Sequence, residues 1–90
     1  MQRPVRAYVF LKVRPVEINE FREALSRIPE VVEGHAVTGE MDAVLVLELQ
    51  DYMNLADVVK KIRTLPFVLD TQTSVVISPI KQTNNGDRKK

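Results

Sequence analysis

Prolines cut this chain into segments, and the hydrophobic period changes from one segment to the next. Pro15, Pro29, Pro66 and Pro79 each follow a run with its own apolar spacing. Proline lacks an N–H for a strand ladder, and the residue before it avoids helical geometry, so each one marks an element boundary. Residues 5–13 alternate: Val5, Ala7, Val9, Leu11 and Val13 share one face, with Tyr8 and Phe10 opposite beside Arg6 and Lys12, which predicts a strand. Residues 18–28 place Ile18, Phe21, Leu25 and Ile28 on one stripe of a helix, with Glu20, Arg22, Glu23 and Arg27 off it. Strand character returns over 31–38, Gly-Glu-Met-Asp at 39–42 makes a short turn, and 43–49 form the most apolar strand, so the pair reads as a hairpin. Asp51 has the chemistry of an N-cap for a second helix. Its stripe is Leu55, Val58, Val59, Ile62 and Leu65, and Lys60, Lys61 and Arg63 sit where the helix dipole favours cations. Residues 68–78 are rich in β-branched side chains and predict a last strand.

The order strand, helix, strand, strand, helix, strand predicts two right-handed crossovers joined by a hairpin. That is an α+β, ferredoxin-like βαββαβ fold: a four-stranded antiparallel sheet with both helices on one face. Residues 1–81 are expected to form this domain, and the nonapeptide 82–90, which has no apolar residue, a disordered basic tail. Two helices cover one side of such a sheet. Yet residues 43–47 are apolar at both parities, and Tyr8 and Phe10 lie opposite Val9 and Leu11. Burial on both faces of a two-layer fold calls for a second chain, so the pattern predicts a dimer formed through the sheets.

Composition narrows the chemistry. The 90 residues include no cysteine, which excludes disulfides and thiolate metal sites. The formal net charge is +1, but residues 1–79 hold nine Lys/Arg against eleven Asp/Glu, a net of −2, so the basic character lies in the tail. Specific duplex DNA binding by the domain itself is therefore not expected. No apolar run approaches the roughly 20 residues of a membrane span. With no signal-like N-terminus and no cysteine, the sequence points to the cytoplasm and away from a membrane. No phosphate-binding glycine loop is present, since Gly34, Gly39 and Gly86 are the only glycines. His35 is the single histidine and has no companions for a metal site. Glu33 shares its strand face, so a general base oriented by a carboxylate stays open as an alternative: a cofactor-free ferredoxin-like enzyme. Against it stands a plain strand histidine near an interface. Tyr8 and Phe10 with Arg6 and Lys12 are a weak echo of RNA-binding sheets. No cofactor is expected.

The most informative stretch is Val37-Thr38-Gly39-Glu40-Met41-Asp42. Gly39 permits positive φ and close approach of the backbone to a ligand. Free N–H groups in such a turn can hold a carboxylate, and Asp42 can meet an ammonium, a combination suited to an amino acid. The alternative is hairpin chemistry alone, with Asp42 making a local turn bond, in a purely structural oligomer without a ligand.

That stretch, with Ile28-Pro29-Glu30-Val31-Val32 before it and Leu65-Pro66-Phe67-Val68 and Thr71-Gln72-Thr73 after it, resembles the Lrp/AsnC family's C-terminal ligand-binding and oligomerisation domain, the RAM domain. The resemblance runs over about residues 5–79. Met41 stands where the family commonly has an aromatic, and Phe67 where it commonly has glycine. Full-length members carry an N-terminal helix-turn-helix domain, for which the four residues before the first strand leave no room, so the sequence reads as a stand-alone version or a domain cut from a longer regulator, with Met1 and the tail favouring the first. The resemblance implies a non-enzymatic module that dimerises through its sheets, assembles into octamer or decamer rings, and modulates transcription or amino-acid metabolism. It implies a small amino-acid effector held between dimers, and possible co-assembly with full-length Lrp-type regulators. The positions it assigns to the ligand are Thr38, Gly39, Glu40, Met41 and Asp42, with Thr71 and Thr73.

Overall fold

In a computed structural model that describes residues 4–81, the chain builds six main elements in the expected order. They are β1 (Val5–Val13), α1 (Ile18–Ser26), β2 (Val31–Ala36), β3 (Ala43–Leu49), α2 (Leu55–Arg63) and β4 (Val68–Val75). All three strand pairings are antiparallel and the order across the sheet is β2-β3-β1-β4. This is the ferredoxin-like arrangement, because each helix carries the chain over one intervening strand. The tail expected at 82–90 lies outside the described residues.

Period two on the central strands decides which face is the core. Ala7, Val9 and Leu11 of β1 and Ala43, Leu45, Leu47 and Leu49 of β3 are buried, together with Val58 and Ile62 of α2. Phe21 and Leu25 of α1 and Leu55 and Val59 of α2 pack against that cluster, so both helices lie on this side. Phe21 also meets Phe67 with ring centroids 4.8 Å apart and planes at 51°, a tilted contact that ties α1 to the entry of β4.

The elements end where their partners do. β4 stops at Val75 rather than at 78. The Val76 N–H still donates to the Arg6 carbonyl at 2.9 Å, but β1 begins at Val5 and offers little beyond. α1 stops at Ser26, ahead of Pro29, in a tightened turn in which Ile28 N–H donates to the Leu25 carbonyl. α2 closes in the same way before Pro66, with Leu65 N–H donating to the Ile62 carbonyl. β2 ends at Ala36 rather than 38, where Val37 N–H turns to the Asp42 carbonyl. Asp51 does cap, but it starts a 3-10 turn over Tyr52–Asn54 by accepting from Met53 N–H at 2.7 Å, and α2 follows from Leu55.

Irregular pairing marks both edges. β2 skips Val32 between Val31 and Glu33, and β4 skips Leu69 opposite Lys12 and Val13. Each skipped residue is an exposed apolar side chain on an edge strand. Such bulges twist an edge and interrupt its ladder.

The helix-free face is not polar. Tyr8, Phe10 and Val44 are half-buried there, and Val46, flanked across the strands by Tyr8 and Glu33, is only 5% exposed. Charges ring this apolar strip: Arg6 lies 3.8 Å from Glu48, and His35 Nε2 lies 3.0 Å from Glu33 Oε1. Among the described residues no helix is long and apolar enough to cross a membrane.

Candidate functional site

The turn between β2 and β3 is shaped by one glycine and one aspartate. Gly39 has φ of 114°, a conformation that side chains with a Cβ rarely adopt. A Cβ built there would meet nothing within 4 Å, so the glycine is required by its backbone angle and not by crowding from its own chain. Val37 N–H donates to the Asp42 carbonyl at 3.0 Å and closes the loop. Inside it, the N–H groups of Thr38, Gly39, Glu40 and Met41 donate to no partner among the described residues. Thr38, Gly39 and Glu40 are exposed and Met41 is half-buried. Uncommitted amides in a turn are the groups from which anion-binding concavities are built.

Asp42 anchors this turn to the sheet. Its N–H donates to the Leu11 carbonyl at 2.8 Å, and its Oδ2 accepts from Val13 N–H at 2.9 Å. The reason is local: the β1–β3 ladder ends at the Leu11–Ala43 pair, so Val13 N–H finds a side chain where the strand partner has run out. Lys12 Nζ adds a bond to the Glu40 carbonyl at 3.0 Å. Asp42 is therefore a structural brace first, with one carboxylate oxygen already committed. Asp42→Ala is expected to lower stability by about 1–2 kcal/mol, while Asp42→Asn, which keeps an acceptor oxygen, loses clearly less. Thermal melts of the two variants check this, and equal losses would sink the brace assignment.

Thr71 and Thr73 stand on β4, opposite Leu11 and Val9. Thr71 is half-buried and its N–H donates to Asp70 Oδ1 at 2.9 Å, while Thr73 is exposed. β1 separates β4 from β3. Thr71 is thus two strand spacings, roughly 10 Å, from the start of β3. Within one chain the turn and the two threonines do not share a pocket. Thr71 borders a separate hollow of about 330 Å³ with Arg63, Val68 and Asp70.

A larger groove of about 890 Å³ runs between α1 and the β2 edge. Val13, Ile18, Phe21, Leu25 and Leu45 give it apolar walls, Asp42 closes one end, and Arg14 and Arg22 line it. Arg22 is exposed, as its place off the apolar stripe predicts, and stands at the rim of the groove. The positions three and four residues away from it are Asn19, Leu25, Ile18 and Ser26, so no acid stands at helical pairing distance. Arg27 on the same helix does have such a partner in Glu23.

The His35–Glu33 pair lies on the helix-free sheet face, with both side chains more than half exposed. No group of three or more His, Asp or Glu side chains among the described residues is placed to hold a metal ion.

Comparison with known proteins places this architecture. A family model described as the Lrp/AsnC ligand binding domain matches residues 6–86. The leucine-responsive regulatory protein of Haemophilus influenzae is 35% identical over 74 residues, covering 79% of this chain and 43% of that protein. The chain spans about half the length, 43–51%, of the curated relatives it matches, which are named as transcriptional regulators or activators or as a regulatory protein. Among solved structures, TTHA0845 of Thermus thermophilus is 29% identical with a TM-score of 0.75, over 87% of this chain and 99% of that one. The transcriptional regulator NMB0573 of Neisseria meningitidis, solved as a complex with L-methionine, is 27% identical with a TM-score of 0.77, over 88% of this chain and 53% of that one. With its sheet order, its hairpin turn and a family model matching nearly its whole length, this chain belongs to the Lrp/AsnC ligand binding domain family.

Proposed function

We propose that this domain binds a small apolar amino acid and couples that binding to its own assembly, as the sensing and oligomerising part of a transcription-regulating system. The observation that carries the reading is the β2–β3 turn, with its positive-φ Gly39 and four N–H groups that have no partner among the described residues. The amino acid's carboxylate meets those amides. Its ammonium meets the Asp42 oxygen that Val13 leaves free. Met41, flexible and polarizable, packs on an apolar side chain. The methionine bound to the Neisseria relative supports a ligand of this class.

One chain keeps Thr71 and Thr73 away from this turn, so in this reading the threonines come from a neighbouring chain and the ligand sits at an assembly seam. Protomers pair through the helix-free sheet faces, and the dimers close into a ring of eight or ten chains. Ligand at the seam then shifts assembly, and assembly shifts ligand affinity by the same factor. Full-length Lrp-type regulators are candidate co-assembly partners that bring DNA recognition. The folded part offers no excess of cations for that task, with nine against eleven acids over residues 1–79.

Calorimetric titration of leucine, isoleucine, methionine and a polar set into wild type and Gly39→Ala tests the site. Wild type is expected to bind an apolar amino acid, and Gly39→Ala to weaken that binding by about tenfold or more, because alanine resists the turn's positive φ. Lys60→Ala, on the outer side of α2, serves as the unaffected control. No heat with any amino acid, or equal affinity in the glycine variant, would remove the turn from the mechanism.

A further inference from the structure

The α1–β2 groove has a polarity of its own. Arg14, Arg22 and Asp42 line it and differ in what they still have to offer, while Glu33 and His35 border it from β2 with their side chains on the helix-free face. Asp42 accepts from Val13 N–H through one oxygen, Oδ2. Arg14 donates through Nε to the Pro66 carbonyl at 3.2 Å, leaving its terminal nitrogens uncommitted. Arg22 takes part in no ion pair or hydrogen bond among the described residues. The one acid is thus half engaged, while both guanidiniums keep donors free. Beneath them lie Phe21, Leu25 and Leu45, an apolar floor in a volume of the size small molecules occupy.

We propose that this groove is a second ligand site, separate from the β2–β3 turn, for a small monocarboxylate with an apolar tail. The carboxylate meets the planar fork of Arg22, a geometry that guanidinium matches with two parallel bonds. Arg14 adds positive charge at the same rim, and the tail lies along Phe21, Leu25 and Leu45. An α-ammonium gains little here, because the groove presents two guanidiniums against one carboxylate, Asp42, with one oxygen taken by Val13 N–H, and the added charge must be desolvated. The site therefore prefers a 2-oxo acid or a short fatty acid to the corresponding amino acid. These two sources share the chemistry of a carboxylate on a hydrocarbon tail. The inference stands without amino-acid binding at the turn, since it uses other residues and the opposite ligand preference.

Methyl and amide NMR spectra of the full chain, titrated with 4-methyl-2-oxopentanoate, hexanoate and leucine, decide the matter. Both acids are expected to move the methyl signals of Val13, Leu25 and Leu45, with leucine at least tenfold weaker at those positions. A stronger response to the oxo acid than to hexanoate assigns the site to 2-oxo acids, and the reverse to fatty acids. Arg22→Gln, an exposed change on α1, is expected to weaken both titrations by about ten- to hundredfold, and Gly39→Ala to leave them unchanged. If Arg22→Gln titrates like wild type, or if the acids shift only the Thr38–Asp42 amides, the groove site is wrong. Loss of leucine binding in Gly39→Ala with the acid titrations intact would confirm two separate sites.

Discussion

Phe10→Asp is expected to convert the protein from a dimer or larger assembly into a folded 10.3 kDa monomer. Phe10 is half-buried at the centre of the helix-free face, between Val44 on β3 and Gln72 on β4. In an isolated protomer a carboxylate at that position keeps much of its water, so the fold is retained. In a sheet-to-sheet dimer the same carboxylate loses its water while the cations on that strand face are already engaged, Arg6 beside Glu48 and Lys12 on the Glu40 carbonyl, and symmetry imposes the cost twice. An unpaired buried charge costs several kcal/mol, and two of them exceed what holds a micromolar dimer, about 8 kcal/mol in all. Light scattering at micromolar concentration should give at least a dimer mass for wild type and a monomer mass for the variant, with unchanged circular dichroism. A monomeric wild type, or an Asp variant that stays assembled, would show that Tyr8, Phe10, Val44 and Val46 form no interface.

Ile62→Ala is expected to be the most damaging single truncation in α2. Ile62 is fully buried in the core between the helix and the sheet. Removing its outer methyl groups forfeits their transfer energy and leaves a cavity, a loss of about 2–5 kcal/mol. A domain this small buries a modest share of its surface, and domains in general hold only about 5–15 kcal/mol in total. The midpoint of thermal unfolding should therefore fall by at least about 8 °C, since each kcal/mol moves a domain of this size by roughly 4–8 °C. Lys60→Ala, exposed on the same helix, should stay within about 0.5 kcal/mol of wild type. A melt of Ile62→Ala within two or three degrees of wild type would mean that α2 is not part of the cooperative core.

Element type and order were legible from the residues because both are set locally. Alternation in Val5, Ala7, Val9, Leu11 and Val13 marks a strand and also names its buried face, and Ala7, Val9 and Leu11 are indeed inaccessible to solvent. The turn's demand for glycine was likewise visible, and Gly39 takes the positive φ. Element ends were less legible. The β-branched run through Val76 and Ile77 continues past β4, but a strand lasts only as long as its partner, and β1 begins at Val5. The capping aspartate was in the right place, although the first turn it starts is 3-10 and not α.

The sequence by itself determined the six segments, the faces they bury, the expectation of a ferredoxin-like sheet and the resemblance that led to the family. Each of these depends on dihedral preference and on side-chain spacing within one segment. Only the tertiary structure decided that β1 stands between the turn and Thr71, that Val13 N–H commits one oxygen of Asp42, and that α1 leaves a groove beside β2 with Arg22 unpaired. Those facts depend on register and on where a ladder ends, which no single segment encodes, because they arise when two crossovers pack against one sheet and each strand takes the hydrogen bonds its neighbour leaves open.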